Sequence, residues 1–67
     1  MADEAKLYRE RADAERVIAA DTTLPNVRDR ALHSAARWDE LAGHIERSRA
    51  IVAERAANSS LNAQTSR

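Results

Sequence analysis

Between Val27 and Val52, small and apolar side chains recur at alternating steps of four and three: Val27, Ala31, Ser34, Trp38, Leu41, Ile45, Ser48 and Val52. That spacing returns to one helix face every seven residues, so the stretch predicts a helix with a continuous heptad seam. Ala31, Trp38, Ile45 and Val52 occupy one seam position, and Val27, Ser34, Leu41 and Ser48 the other. Ala35, Ala42 and Ala56 widen the stripe. Gly43 falls on the opposite face, where it costs roughly 1 kcal/mol relative to Ala without ending the helix. The predicted helix spans about 26–57.

Upstream, residues 3–20 are rich in Ala, Glu, Arg and Leu and contain neither Gly nor Pro, which predicts a first helix of about that span. Asp3 and Glu4 suit the positive end of its dipole. Lys6 with Glu10, Arg9 with Asp13 and Arg11 with Glu15 form oppositely charged i,i+4 pairs, each worth a few tenths of a kcal/mol. The run Asp21-Thr22-Thr23-Leu24-Pro25 breaks the pattern. Its short polar and β-branched residues lower helix propensity, and Pro25 pushes Leu24 out of the helical region. Pro25 also fits the first turn of the next helix, with Thr23 or Leu24 at the cap. The expected turn is therefore 21–25. Residues 58–67 are polar apart from Leu61 and Ala63, and read as a flexible tail behind a hairpin domain of residues 1–57.

Two helices joined by so short a turn pack antiparallel. Facing pairs then lie equidistant from the turn: Ile18 near Val27, Ala12 near Ser34, Tyr8 near Trp38. Tyr8, Ile18, Val27 and Trp38 are the expected core. The first helix runs out opposite Leu41 or Ala42. Ile45, Ile51 and Val52 are left overhanging, with nothing in their own hairpin to cover them. The first helix also carries two stripes: Ala5, Tyr8, Ala12 and Ala19 form one, and Leu7, Ala14 and Ile18 the other. A hairpin uses one such stripe, whereas a helix inside a four-helix bundle uses two. Fifteen of the apolar residues are Ala, leaving few large side chains for the core of a 67-residue chain. The expectation is an all-α antiparallel helical hairpin that assembles as a coiled-coil-like four-helix-bundle homodimer. Its self-association interface would comprise Leu41, Ile45, Ser48, Ile51 and Val52.

Chemistry finds little to work with. There is no Cys for a disulfide or a thiolate site, and one Gly excludes phosphate-cradling loops. His33 and His44 stand three turns apart, roughly 16 Å, too far to share a metal. The acid pairs Asp3-Glu4 and Asp39-Glu40 are adjacent residues that diverge around a helix. Ser34 and Ser48 sit on the seam with no base placed to activate them. No catalytic residue, metal or cofactor is expected, and the chain is read as a non-enzyme. Trp38 is favoured as core over a binding hot spot. Ten Arg against one Lys invite a nucleic-acid reading, but eleven acidic residues interleave with them to zero net charge. The start lacks a basic region followed by an apolar stretch. The longest apolar runs are four residues, against about 20 for a membrane span. A cytoplasmic protein without membrane association is the expectation.

The segments Tyr8-Arg-Glu-Arg-Ala12, Leu24-Pro-Asn-Val-Arg28, Ser34-Ala-Ala-Arg-Trp38 and Leu41-Ala42 resemble short alphaproteobacterial helical-hairpin proteins of unknown function. The resemblance covers residues 8–48, and implies a helical hairpin from a GC-rich bacterium and no activity. The functional expectation is a small interaction module that self-associates and docks or regulates a partner protein. The alternative is a small nucleic-acid-associated regulatory protein.

Overall fold

A computed structural model describes the backbone of residues 3–65 and the side chains of residues 3–61. Two helices make up the fold, α1 (Glu4–Asp21) and α2 (Pro25–Thr65), packed antiparallel as a hairpin. The molecule measures 66 × 20 × 11 Å, a rod whose length is that of α2.

Local chemistry sets each helix end. Asp3 caps α1: its side chain accepts from the Lys6 amide at 3.2 Å and its carbonyl from the Leu7 amide at 3.0 Å. These bonds satisfy donors that the first turn would otherwise leave open. After Asp21 the chain turns extended at Thr22, and the connector is only Thr22-Thr23-Leu24. No described residue has a left-handed backbone, so the turn needs no glycine. The Thr22 hydroxyl accepts from the Leu24 amide at 3.1 Å, and the Leu24 carbonyl from the Arg28 amide at 3.0 Å. Leu24 is thus the residue that starts α2, with Pro25 in the first helical position, where its missing N–H is harmless. Arg28 then reaches back, its Nε donating to the Ala19 carbonyl at 3.4 Å and its terminal nitrogen to the Thr22 carbonyl at 3.0 Å. A guanidinium at the carbonyl end of α1 also complements the dipole.

Two boundaries differ from expectation. The turn is shorter than 21–25, and α2 runs eight residues past Ala57 to Thr65. Residues 58–65 hold no Gly or Pro, so nothing stops propagation once the helix is established. Of the expected polar tail, only residues 66–67 lie outside the described backbone.

The core is a seam of alanine. Ala5, Ala12 and Ala19 of α1, seven residues apart, and Ala31, Ala35 and Ala42 of α2 are buried, none more than 5% exposed. The expected seam had Val27, Ser34 and Leu41 facing α1. The observed one is turned by about 50°, half a residue step at 100° per residue, so that Ala35 and Ala42 take their place. Small faces small: with methyl groups alone between them the helices approach closely, and larger side chains are displaced to the flanks. A buried methyl contributes only about 0.8 kcal/mol. Such a core is economical in volume and leaves most of the large apolar side chains outside it.

Candidate association surface

The alanine seam divides the hairpin into two unlike flanks. One flank is ionic. Arg9 donates to Asp39 at 2.9 Å and to Glu46 at 2.6 Å, bridging from α1 to two carboxylates about two turns apart on α2. Arg16 pairs with Asp39 as well, and with Asp13 of its own helix at 2.7 Å. Gly43, half-buried rather than on a fully outward face, lies beside the Arg9 and Arg47 guanidinium groups. The i,i+4 pairing expected for Arg9 with Asp13 gives way to these cross-helix contacts. Arg11 turns instead over the Trp38 ring, 5.2 Å from its centroid.

The Arg9 guanidinium beside Asp39 and Glu46 holds both carboxyls below their ordinary values, and Arg49 does the same for Asp3. A carboxyl depressed in the folded state adds stability above its unfolded pKa, about 4, and loses it as pH falls through the folded value. The thermal midpoint should therefore change little from pH 7 to pH 5 and decline below about pH 4. Asp39→Asn should flatten that decline, and so should high salt, because these groups are exposed and screened. A midpoint independent of pH down to the strongly acidic range would show that the ion pairs contribute nothing.

The opposite flank is apolar. Tyr8 and Trp38 stack there, ring centroids 5.3 Å apart and planes tilted by 35°, both half-buried. They meet at the level expected from the turn. Leu7 and Ile18 of α1 and Val27 and Leu41 of α2 lie on the same side, and all four are exposed. Ile18 (47%) and Val27 (36%) thus depart from the expected core positions: in the single hairpin the alanines occupy the seam and these larger side chains are set beside it. Leu41, with Ser34, Arg37 and Trp38, lines a shallow hollow of about 250 Å³ on this flank.

Beyond the end of α1 the seam of α2 continues uncovered. A groove of about 430 Å³, almost wholly apolar, runs along residues 44–56. Ile45, Ser48 and Val52, three of the five residues expected in the interface, line it together with His44, Arg49, Ala53 and Ala56. Ile45 is half-buried, whereas Ser48 and Val52 are exposed. Leu41 and Ile51 are exposed but lie outside the groove. His44 and Ala53 were not expected there. Their signal is the i,i+4 row in which they stand, which a pattern keyed to large apolar residues passes over. Arg49 would place a charge in the groove, but its guanidinium is drawn aside to Asp3 at 2.9 Å, so its aliphatic stem forms the wall. Asp3 therefore both caps α1 and ties its first turn to Arg49 of α2.

Among the described residues there is no cluster of three or more metal-ligating side chains, and no helix is long and apolar enough to cross a membrane. Arg9, Arg16, Arg28 and Arg49 are directed to acceptors of their own chain. No protein family, curated protein or solved structure matches the chain.

Proposed function

We propose that this chain is a non-catalytic helical interaction module whose first partner is a second copy of itself, and that it acts as a homodimer of hairpins assembled about a two-fold axis. The observation that carries the reading is the apolar seam of α2, which runs on from the half-buried Ile45 through the exposed Ser48 and Val52 past the first turn of α1. Exposed apolar surface of this extent on so small a chain favours association, and a two-fold is the commonest way for one patch to cover itself. Docking on a further protein would use the apolar flank around Leu7 and Leu41, leaving the ionic flank to solvent.

Light scattering on the purified protein should give about twice the 7.4 kDa chain mass. The double variant Ile45→Asp, Val52→Asp should halve that mass and reduce helicity, because association then no longer stabilises the second half of α2. A wild-type chain that is well folded and 7.4 kDa at micromolar concentration would refute the reading.

A further inference from the structure

Two hollows meet on α2, upstream of the groove. The one beside Trp38 is bounded by Ser34, Arg37 and Leu41 and measures about 250 Å³. The next, about 460 Å³, is bounded by Arg37, Glu40, Leu41, His44 and Arg47. Arg37 and Leu41 belong to both. The two hollows are thus one surface with an aromatic and aliphatic end and a cationic end.

The cations of this surface are uncommitted. Arg9, Arg16 and Arg49 are held by carboxylates, and Arg28 by carbonyls. Among the described residues, neither Arg37 nor Arg47 has an ion-pair partner, although Glu40 lies in the same hollow. A guanidinium at the edge of an apolar hollow binds a carboxylate by paired, charge-assisted bonds, which strengthen when the partner excludes water. Nucleic acid suits the surface less well. The Trp38 ring is already engaged by Tyr8 and Arg11, which leaves a base little to stack on. Glu40 and the zero net charge of the chain also oppose a polyphosphate.

The two sets of lining residues are centred about four positions apart, roughly 6 Å along the helix. A partner that fills both hollows needs an apolar side chain and a carboxylate at that separation, which one turn of helix supplies. Deepening the docking role given above to the flank around Leu41, we propose that residues 34–47 of α2 bind an acidic amphipathic helix of another protein. Its apolar residue enters the hollow beside Trp38, and the carboxylate one turn away bridges Arg37 and Arg47.

The probe is an alanine-based helical peptide carrying leucine and glutamate one turn apart, with a lysine-for-glutamate peptide as its counterpart. Titrated into the isotopically labelled full chain, the acidic peptide should shift the amides of residues 34–47 and the Trp38 indole saturably, with Kd below about 1 mM. Arg37→Glu with Arg47→Glu, both exposed positions, should weaken it at least tenfold and admit the lysine peptide instead. Circular dichroism checks the fold of the variant. No saturable shift, or binding indifferent to the charge reversal, overturns the proposal. So does a short DNA duplex that binds these residues more tightly than the acidic peptide. Shifts of the same residues on simple dilution of the chain would assign the surface to a second copy and overturn it likewise. Light scattering reports self-association separately: a monomer that binds the peptide refutes the homodimer and leaves this surface standing.

Discussion

Ala12→Leu is expected to lower the thermal midpoint by on the order of 10 °C, equivalent to about 1–3 kcal/mol in a domain of this size. Ala12 has no exposed surface and sits midway along the alanine seam. Its neighbours on either side, Ala5 and Ala19, are buried to almost the same degree. A leucine adds three carbons where two backbones run close together, so the helices must separate. Separation loses dispersion contacts along the whole seam and stretches the bridge from Arg9 to Asp39 and Glu46. The same substitution at Ala14, exposed on α1, should have little effect and serves as the control. Thermal melts by circular dichroism decide the matter. A midpoint that rises with Leu at position 12 would show that the seam is loose enough to accept bulk, and that close approach is not what holds the hairpin.

Trp38→Ala is the second large effect, expected at about 2–4 kcal/mol. Truncating a fully buried Trp costs about 3–5 kcal/mol, and Trp38 is only half-buried. Its contacts are nonetheless concentrated: the stack on Tyr8 and the Arg11 guanidinium over its face add about 0.5–1.5 and about 0.5–1 kcal/mol, respectively. All of them join α1 to α2 on the apolar flank. Trp38→Phe should recover a good part of the loss by keeping a ring against Tyr8. If Trp38→Ala instead melts like the parent but no longer associates, then Trp38 works as an interface residue and its contribution to the hairpin is small.

Much of this architecture is legible in the chain. The seven-residue spacing defines α2, Pro25 marks its start, and a short connector dictates an antiparallel hairpin in which Tyr8 meets Trp38. The continuation of apolar positions to Val52 likewise shows where the hairpin leaves surface uncovered, although Ile45, expected to overhang, is half-buried because α1 reaches Glu46 and Asp3 reaches Arg49. What was not legible has physical causes. Reading a seam by its largest residues selects Val27 and Leu41, whereas close packing selects the methyl groups of Ala35 and Ala42 and displaces the larger neighbours. Arg9 pairs with Asp13 only while the other helix is ignored; once α2 is alongside, two carboxylates lie within reach. The extension of α2 to Thr65 reflects propagation, which depends on the preceding turns more than on the modest propensities of Asn and Ser. The tie between Asp3 and Arg49 joins residues 46 positions apart, and only the register of the hairpin brings them together.

The connector of three residues has a kinetic consequence. Contacts beside it, such as Arg28 with the Ala19 carbonyl, close the shortest loops and those of Asp3 with Arg49 the longest, so zipping outward from the connector is the expected order. Loops of ten residues close in about 10–100 ns, and helical folds dominated by such local contacts form in microseconds to milliseconds. Hairpin formation is a first-order event with a rate indifferent to dilution. The proposed encounter of two hairpins would be second order and would slow in proportion as the protein is diluted. Refolding followed by Trp38 fluorescence would report the early event, while the later one would be seen in light scattering. In the proposed dimer pathway the unpaired hairpin is a rod with one end bare, and its lifetime falls as the product of association rate constant and concentration rises.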